Sequence, residues 1–206
     1  WKYKTQTSNV PIYLDSTAPT SRVIGEGFYR NSSNFKIEWK ATSNFEDLKG
    51  YYVYYMEKNG STLGDWMLLG FFTNNSYNFE GENGRNYRFK SIAEDIVGNL
   101  EQKSTYDTEV RVDLVNPNSK LWVGEGDFEF TNSEGVTLKW KAENSTDILG
   151  YLIEYKNYTS NVWQNFGSET SEGERWFSPD SDDTYEIRSR SLDAAGNLET
   201  KYESDI

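Results

Sequence analysis

Hydrophobic and polar residues alternate along short segments of this chain. Phe35, Ile37 and Trp39 alternate with charged residues at the positions between them. Successive side chains of an extended strand point to opposite faces of its sheet, so this pattern predicts a strand with one buried face. No segment shows the 3.6-residue period of an amphipathic helix. The pattern therefore predicts an all-β chain.

Similar runs recur along the chain with turn residues between them. The further predicted strands cover residues 51–55, 66–72, 77–79, 136–140 and 151–155, with long strands beginning at Tyr87 and Tyr185. An Asp-x-x-Gly-Asn sequence follows each long strand. It is typical of a tight turn, because Asp caps the turn while Gly and Asn accept positive φ. Short strands at this spacing, with turns between them, are typical of a β-sandwich.

The chain contains two copies of one sequence pattern. Residues 185–199 repeat the pattern of residues 87–101 at an offset of 98 positions. Trp39 and Trp140 match at an offset of 101. Small changes of offset are what loop insertions and deletions produce. The sequence therefore predicts an internal duplication.

The duplication sets the predicted domain bounds. We expect repeat 1 over residues 15–112 and repeat 2 over residues 113–206, joined by a short linker that ends near Pro117. Domains of this length can bury an adequate core without disulfides or metals. The sequence thus predicts two tandem antiparallel β-sandwiches.

Residues 1–14 fall before repeat 1. At the same offset, Ile12 and Leu14 correspond to Val110 and Val112, at the end of repeat 1. We expect residues 1–14 to be the final strand of a preceding sandwich. Alternatively, they are a donor strand that completes an open sheet edge in another copy, which would build filaments.

These features resemble the fibronectin type III family. The resemblance rests on a tryptophan in the second strand of each repeat, on a Tyr-x-apolar run that ends in Asp-x-x-Gly-Asn, and on the start Asp-x-Thr-Ala-Pro-Thr-Ser at residues 15–21. It implies that Tyr87 and Tyr185 are tyrosine corners, whose hydroxyls bond to the backbone of the preceding loop. The start and end motifs are similar to repeats of prokaryotic surface proteins and secreted hydrolases. The Arg-Gly-Asp tripeptide is absent.

The composition narrows the possible chemistry. The chain has no cysteine and no histidine, which excludes a disulfide framework, a thiol nucleophile, a Ser-His-Asp triad and an imidazole zinc centre within it. The net charge of −12 disfavours nucleic acid and anionic membranes as partners. No apolar run approaches the ~20 residues of a membrane helix, so we expect no direct membrane insertion.

Acidic residues supply the remaining candidates for chemistry. Asp180, Asp182 and Asp183 cluster in one loop, where a calcium site and a polar turn are both possible. The loop has no glycine and no trailing bidentate glutamate, which favours the turn. Asp47 and Asp147 precede matching glycines, and their recurrence favours a role in turn capping. We predict no catalytic residue, no metal site and no cofactor.

One strand of repeat 1 carries aromatic residues on its predicted outer face. Tyr52 and Tyr54 lie there, and the long strand beside it should present Arg88 and Lys90, which can stack on these tyrosines. These four residues form either a ladder that only stabilises the sheet or a patch that contacts a glycan or protein.

Five Asn-x-Ser/Thr sequons fall at predicted loops or strand ends, where a glycan would fit. They are at Asn31, Asn59, Asn74, Asn144 and Asn157.

These observations predict a non-catalytic structural or adhesive module of an extracellular or cell-surface protein. Its expected partners are neighbouring domains, copies of the same protein, or glycans. One alternative is an accessory polysaccharide-binding module of a secreted hydrolase, and another is a filament subunit that assembles by donor-strand exchange.

Overall fold

The computed structural model describes residues 13–25, 27–44, 46–124, 134–179 and 183–206. All regular structure in these residues is β-strand. The strands preceding residue 113 are β1 (Thr20–Ile24), β2 (Tyr29–Arg30), β3 (Asn34–Ser43), β4 (Leu48–Asn59), β5 (Thr62–Leu63), β6 (Met67–Phe72), β7 (Ser76–Glu80), β8 (Asn86–Asp95) and β9 (Thr108–Val112). The later strands are β10 (Ser119–Val123), β11 (Val136–Ala142), β12 (Ile148–Asn157), β13 (Gln164–Glu169), β14 (Gly173–Phe177) and β15 (Tyr185–Asp193).

The strands form two tandem sandwiches. The first has a sheet in the order β1-β3-β7 and a larger sheet in the order β2-β9-β8-β4-β5, with β6 also paired to β4. The second has sheets in the orders β10-β11-β14 and β13-β12-β15. Pairing is antiparallel for β1 with β3, for β4 with β5, β6 and β8, for β11 with β10 and β14, and for β12 with β13 and β15. β2 and β9 form a short parallel contact. The predicted fold class, all-β with two tandem sandwiches, is confirmed.

The predicted alternation places the apolar residues in two separate cores. Trp39 is almost fully buried, packs against Phe72 at a ring-centroid distance of 5.2 Å, and donates from Nε1 to the Asn74 carbonyl at 3.0 Å. Trp140 is buried in the second core and donates in the same way to the Ser171 carbonyl at 2.9 Å. Each indole therefore fills a core and satisfies its N–H within the same sandwich.

The Asp-x-x-Gly-Asn turns have the predicted capped geometry. Asp95 Oδ1 accepts hydrogen bonds from the backbone N–H groups of Val97 and Asn99 at 3.0 and 2.8 Å. Gly98 has a φ of 96°, a conformation that favours glycine. The Asn99 side chain donates to Asp95 Oδ2 at 2.7 Å and to the carbonyl of Asp15 at 3.2 Å. The turn thus also holds the first residue of its own repeat.

The second repeat reproduces this turn. Asp193 Oδ1 accepts from the N–H groups of Ala195 and Asn197 at 2.9 and 2.8 Å, and Asn197 donates to the carbonyl of Asp113 at 2.9 Å. Because both contacts recur, the motif fixes the same loop geometry in each copy.

Asp47 and Asp147 contact these turns through their backbone. The carbonyl of Asp47 accepts from Ile96 N–H at 3.0 Å, and that of Asp147 accepts from Ala194 N–H at 2.8 Å. The recurring aspartates thus join a preceding loop to the Asp-x-x-Gly-Asn turn.

A charged cluster that we call the Glu-Lys-Asp bridge joins the two sheets of the first sandwich. Glu101 Oε2 accepts from the Ser21 N–H on β1 and from the Ala93 N–H on β8, both at 3.0 Å. Asp107 Oδ2 accepts from the N–H groups of Val23 at 3.0 Å and Ser91 at 2.9 Å. Carboxylates therefore satisfy backbone donors on strands of opposite sheets.

Lys103 offsets part of the negative charge of this bridge. Its ammonium donates to the carbonyls of Ser21 and Ser91 at 2.5 and 2.8 Å. It lies 3.1 Å from an oxygen of Glu101 and 3.1 Å from an oxygen of Asp107. The three charges are largely shielded from solvent, and each has an opposite charge beside it, as buried charges require.

The bridge recurs in the second sandwich as Glu199, Lys201 and Asp205. Glu199 Oε2 accepts from the N–H groups of Ser119 at 3.0 Å and Ser191 at 2.9 Å. Lys201 lies 3.3 Å from Glu199 and 3.0 Å from Asp205. The repeated sequence pattern matched Glu101 with Glu199, but it ended before the lysines and aspartates.

Some predictions fall outside these observations. Residues 1–12 of the predicted donor segment lie outside the described residues, while Tyr13 and Leu14 are exposed. The tyrosine-corner bonds of Tyr87 and Tyr185 stay predictions. Among the described residues, no helix has the length and hydropathy to cross a membrane.

We expect Trp39→Ala to unfold the first sandwich and leave the second folded. Truncating a buried tryptophan costs about 3–5 kcal/mol, against a total of about 5–15 kcal/mol for a domain. Calorimetry should show that one unfolding transition is lost or moves to a lower temperature while the other is unchanged. Trp140→Ala should give the converse. Native stability in either variant would contradict the assigned cores.

We expect Glu101→Gln to destabilise the first sandwich by about 1.5–3 kcal/mol, the range for hydrogen bonds to a charged group. Glu80→Gln, at an exposed position on β7, is the matched control and should change little. Urea denaturation measures both changes, and equal stability of the two variants would show that the bridge does not hold β1.

Candidate functional site

The outer face of the larger sheet in the first sandwich is rich in apolar side chains. Strand pairing aligns Tyr52 on β4 with Ile92 on β8 and with Phe71 on β6. It aligns Tyr54 with Lys90 and Leu68 in the same way. We call the apolar strip the set of outward residues Tyr52, Tyr54, Met56, Trp66, Leu68, Phe71 and Ile92.

Aromatic and cationic groups pack together on this strip. The rings of Tyr52 and Phe71 lie 4.9 Å apart between centroids, and the Lys49 ammonium is 5.7 Å from the Phe71 centroid. The Lys90 ammonium is 4.3 Å from the centroid of Trp66 and 5.5 Å from that of Tyr54. These distances are typical of cation–π contacts.

Lys90 sits in a partly desolvated position. Burial and the neighbouring Lys103 lower the pKa of Lys90 from its usual value, while Asp107 opposes this effect. The pairing of Lys90 with Tyr54 agrees with the expectation from the sequence. Trp66, Leu68 and Phe71 belong to the same surface, but the sequence showed them only as part of a strand, because the strand register that places them beside Tyr52 and Tyr54 is not encoded locally.

Arg88 does not stack on the tyrosines as expected. Its guanidinium lies 4.3 Å from the centroid of Tyr106, and its Nε donates to Glu109 Oε2 at 2.7 Å. Glu109 on β9 also binds Lys58 at 3.1 Å. The strand register explains these contacts. It pairs Arg88 with Met56 on β4 and leaves Arg88 nearer the Glu109 carboxylate on β9. Arg88 pairs with Met56 on the same outer face as Tyr52, Tyr54 and Lys90, and the four-residue contact patch stays a prediction.

The equivalent face of the second sandwich carries ion pairs. Arg188 Nε lies 2.7 Å from Glu154 Oε2, and Lys156 lies 2.9 Å from Glu186. The Arg188 guanidinium also lies 3.9 Å from the ring centroid of Trp163. The outer face of this sheet therefore carries charged pairs in the second copy and apolar side chains in the first.

A second candidate is an acidic cluster in the first sandwich. Asp15, Asp47 and Asp95 place one carboxylate oxygen each within 4.8 Å of one another. Burial, followed by a hydrogen bond with Asp15, raises the pKa of Asp47. Such a group can share a proton or bind a cation, but both oxygens of Asp95 already accept hydrogen bonds within the turn. The three residues are too far apart in sequence for their spacing to have revealed the cluster.

The predicted acidic loop is only partly described. Asp180 and Asp182 lie outside the described residues. Asp183 accepts from the Thr159 hydroxyl at 3.0 Å and from the Thr184 N–H at 2.7 Å. These bonds are those of a polar turn, and the calcium alternative for the whole loop stays untested.

The five sequons lie at loops or strand ends. Asn31, Asn59, Asn74 and Asn144 are exposed, and Asn157 is half-buried. Asn157 Oδ1 accepts from the Ser160 N–H at 2.7 Å, and Asn144 Oδ1 accepts from the Asn118 N–H at 2.9 Å. A glycan on either residue would have to accommodate these bonds, and modification stays a prediction at all five.

Comparisons with known proteins find solved structures that are similar at low sequence identity. No protein-family model and no curated protein matches the sequence. Domains A168-A170 from titin are 18% identical with a TM-score of 0.49 over 88% of this chain, and the chicken CNTN1 FN1-FN3 domains are 16% identical with a TM-score of 0.35 over 89%. This chain covers 63% and 64% of those two structures. A cytokine receptor complex is 12% identical with a TM-score of 0.35, covering 87% of this chain and 98% of that one.

The ion pairs of Glu109 predict how the stability of the first sandwich depends on pH. Burial raises the pKa of Glu109, but the hydrogen bonds and charges of Arg88 and Lys58 outweigh burial and lower it. A lowered folded-state pKa contributes stability above the unfolded value of about 4.3 that is lost as the pH falls through the folded value. Wild type and Glu109→Gln should therefore differ most in their free energy of unfolding near neutral pH, and this difference should shrink below about pH 4.

Urea denaturation over a series of pH values measures this difference. Glu80→Gln serves as the control and should show no such pH dependence, because Glu80 is exposed. A constant difference for Glu109→Gln across the series would contradict the role assigned to the Arg88 and Lys58 contacts.

Proposed function

We propose that this chain is a non-catalytic structural and binding segment of an extracellular or cell-surface protein. Its first sandwich carries a contact face, and its second sandwich serves as a spacer.

The difference between the two outer faces is the observation that carries this proposal. The copies keep the same buried tryptophan, the same capped turn and the same Glu-Lys-Asp bridge. On the outer face, by contrast, Tyr54 of the first copy occupies the place of Glu154 in the second. A scaffold that is retained while one surface diverges is what a module with a binding role requires.

The chemistry of the chain supports a non-catalytic role. The sequence contains neither cysteine nor histidine, the commonest sources of a nucleophile and a general base. One depression of about 390 Å³ in the second sandwich is lined by turn and strand residues that include Ser145, Thr146, Ile148 and Thr170. None of these provides an activated nucleophile.

The surface supports an extracellular location. Four of the five sequons present exposed asparagines, and the high negative charge favours solubility of an exposed module. Charged bridges stabilise each sandwich without any cysteine, so the fold does not depend on the redox state of its surroundings.

Immunolabelling of intact source cells tests this function. Antibodies raised against the purified chain should label cells that have not been permeabilised, while antibodies against a cytosolic enzyme should not. Labelling only after permeabilisation would refute the extracellular location. Binding of the same chain to a glycan array tests the alternative function. Specific binding to a neutral polysaccharide would favour an accessory module of a hydrolase.

A further inference from the structure

Two Asn-Gly dipeptides occur in this chain, Asn59-Gly60 and Asn83-Gly84. An asparagine followed by glycine is especially prone to lose its side-chain amide, because glycine has no Cβ to hinder its own backbone nitrogen. That nitrogen attacks the carbonyl carbon of the asparagine side chain and closes a five-membered imide ring. The two dipeptides share this intrinsic reactivity, so any difference between them comes from the fold.

The two dipeptides are closely matched in exposure and backbone conformation. Both lie at turns, Asn59-Gly60 between β4 and β5 and Asn83-Gly84 between β7 and β8, and all four residues are exposed. Gly60 and Gly84 have φ values of 59° and 78°. A Cβ placed on either glycine would meet no atom within 4 Å. Neither burial nor crowding therefore distinguishes the two sites.

Hydrogen bonds hold both reacting groups of Asn83-Gly84. Asn83 Oδ1 accepts from the Leu114 N–H at 2.8 Å, and the Gly84 N–H donates to the Val112 carbonyl at 2.8 Å. Ring closure requires the side chain to turn toward the glycine nitrogen and that nitrogen to lose its proton. Both hydrogen bonds must therefore break before Asn83 can react.

Asn59-Gly60 lies in a tight hairpin loop. Asn59 pairs with Thr62 and Lys58 with Leu63, so the loop itself is two residues long. The hydrogen bond of such a turn joins its first and fourth residues and leaves the N–H of the second residue out. In the part of the chain that the structure describes, neither the Asn59 side chain nor the Gly60 N–H makes a hydrogen bond.

We propose that Asn59 is a site of spontaneous deamidation, and that the fold directs this modification to Asn59 and away from Asn83. The Gly60 nitrogen, having lost its proton to hydroxide, forms a bond to the side-chain carbonyl carbon of Asn59, and the amide nitrogen leaves as ammonia. Water then opens the imide ring at one of its two carbonyls and yields aspartate or isoaspartate. The reaction needs only the chain and water, so it is independent of the function proposed above.

The isoaspartate product alters the hairpin. It routes the main chain through the former side chain and so adds one methylene group to the backbone before Gly60. Because the pair of Asn59 with Thr62 sets the register of β5 on β4, the longer backbone disfavours this pairing. Either product also places a new carboxylate next to Lys58, which pairs with Glu109 at 3.1 Å.

Deamidation and glycosylation exclude each other at this residue. Asn59 begins the sequon Asn59-Gly60-Ser61, which is the one sequon of the five with glycine at its second position. A glycan would be attached to the same amide nitrogen that leaves as ammonia. A deamidated chain therefore has no acceptor at this sequon, and whichever reaction comes first decides the state of the residue.

Purified chain that was produced without glycosylation tests the proposal. It is incubated in mildly alkaline buffer, and its peptides are analysed by mass spectrometry for the replacement of NH₂ by OH and for isoaspartate. Asn59 should be converted at least about tenfold faster than Asn83, because two hydrogen bonds must break at Asn83 first. In concentrated urea, which unfolds the chain, the two residues should react at similar rates.

Asn59→Gln is the matched variant, since a glutamine side chain would have to close a larger ring. It should remove the modification from the hairpin and leave the slow conversion of Asn83 unchanged. Equal rates at Asn59 and Asn83 in the folded chain would overturn the proposal. An Asn59 that stays intact in the folded chain while it reacts in urea would do the same.

Discussion

Each sandwich depends on how its first strand is held. β1 and β10 lie at the edge of a three-stranded sheet, where one row of backbone groups has no strand beside it. In both copies a glutamate and a lysine from the segment after the Asp-x-x-Gly-Asn turn bind those groups, and an aspartate of the same segment binds the long strand of the opposite sheet. Hydrogen bonds to charged groups are stronger than those between neutral groups, and here they take the place of a disulfide between sheets.

The same bridge explains why the outer face is free to vary. The bridge and the tryptophan core lie between the sheets, so the outer side chains of β4, β6 and β8 are not needed to close the sandwich. Residues such as Tyr54 and Glu154 can then occupy equivalent positions with opposite character, and selection can act on the face for contact alone. In the second copy, Arg188 and Glu154 are largely shielded from solvent, and each has the other as its charged partner.

The sequence predicted those features that a local pattern encodes. Alternation identified the strands around Trp39 and Trp140, and the Asp-x-x-Gly-Asn motif identified both turns, because period and turn chemistry depend on adjacent residues. The partners of Lys103 could not be predicted, since Ser21 lies far away in sequence and meets Lys103 only in the folded chain. The contact partners of Arg88 could not be predicted for a related reason, because the choice between a tyrosine of β4 and Glu109 depends on the strand order.

The hydrogen bonds of the Asn99 and Asn197 side chains have a consequence for how a gene that encodes such repeats can lengthen by duplication. Each binds the carbonyl of the aspartate that begins its own repeat, so both partners of this contact belong to one repeat. A DNA segment copied from one such aspartate to the residue before the next would encode both partners. Recombination at that point would then lengthen the protein by whole repeats that each keep this contact.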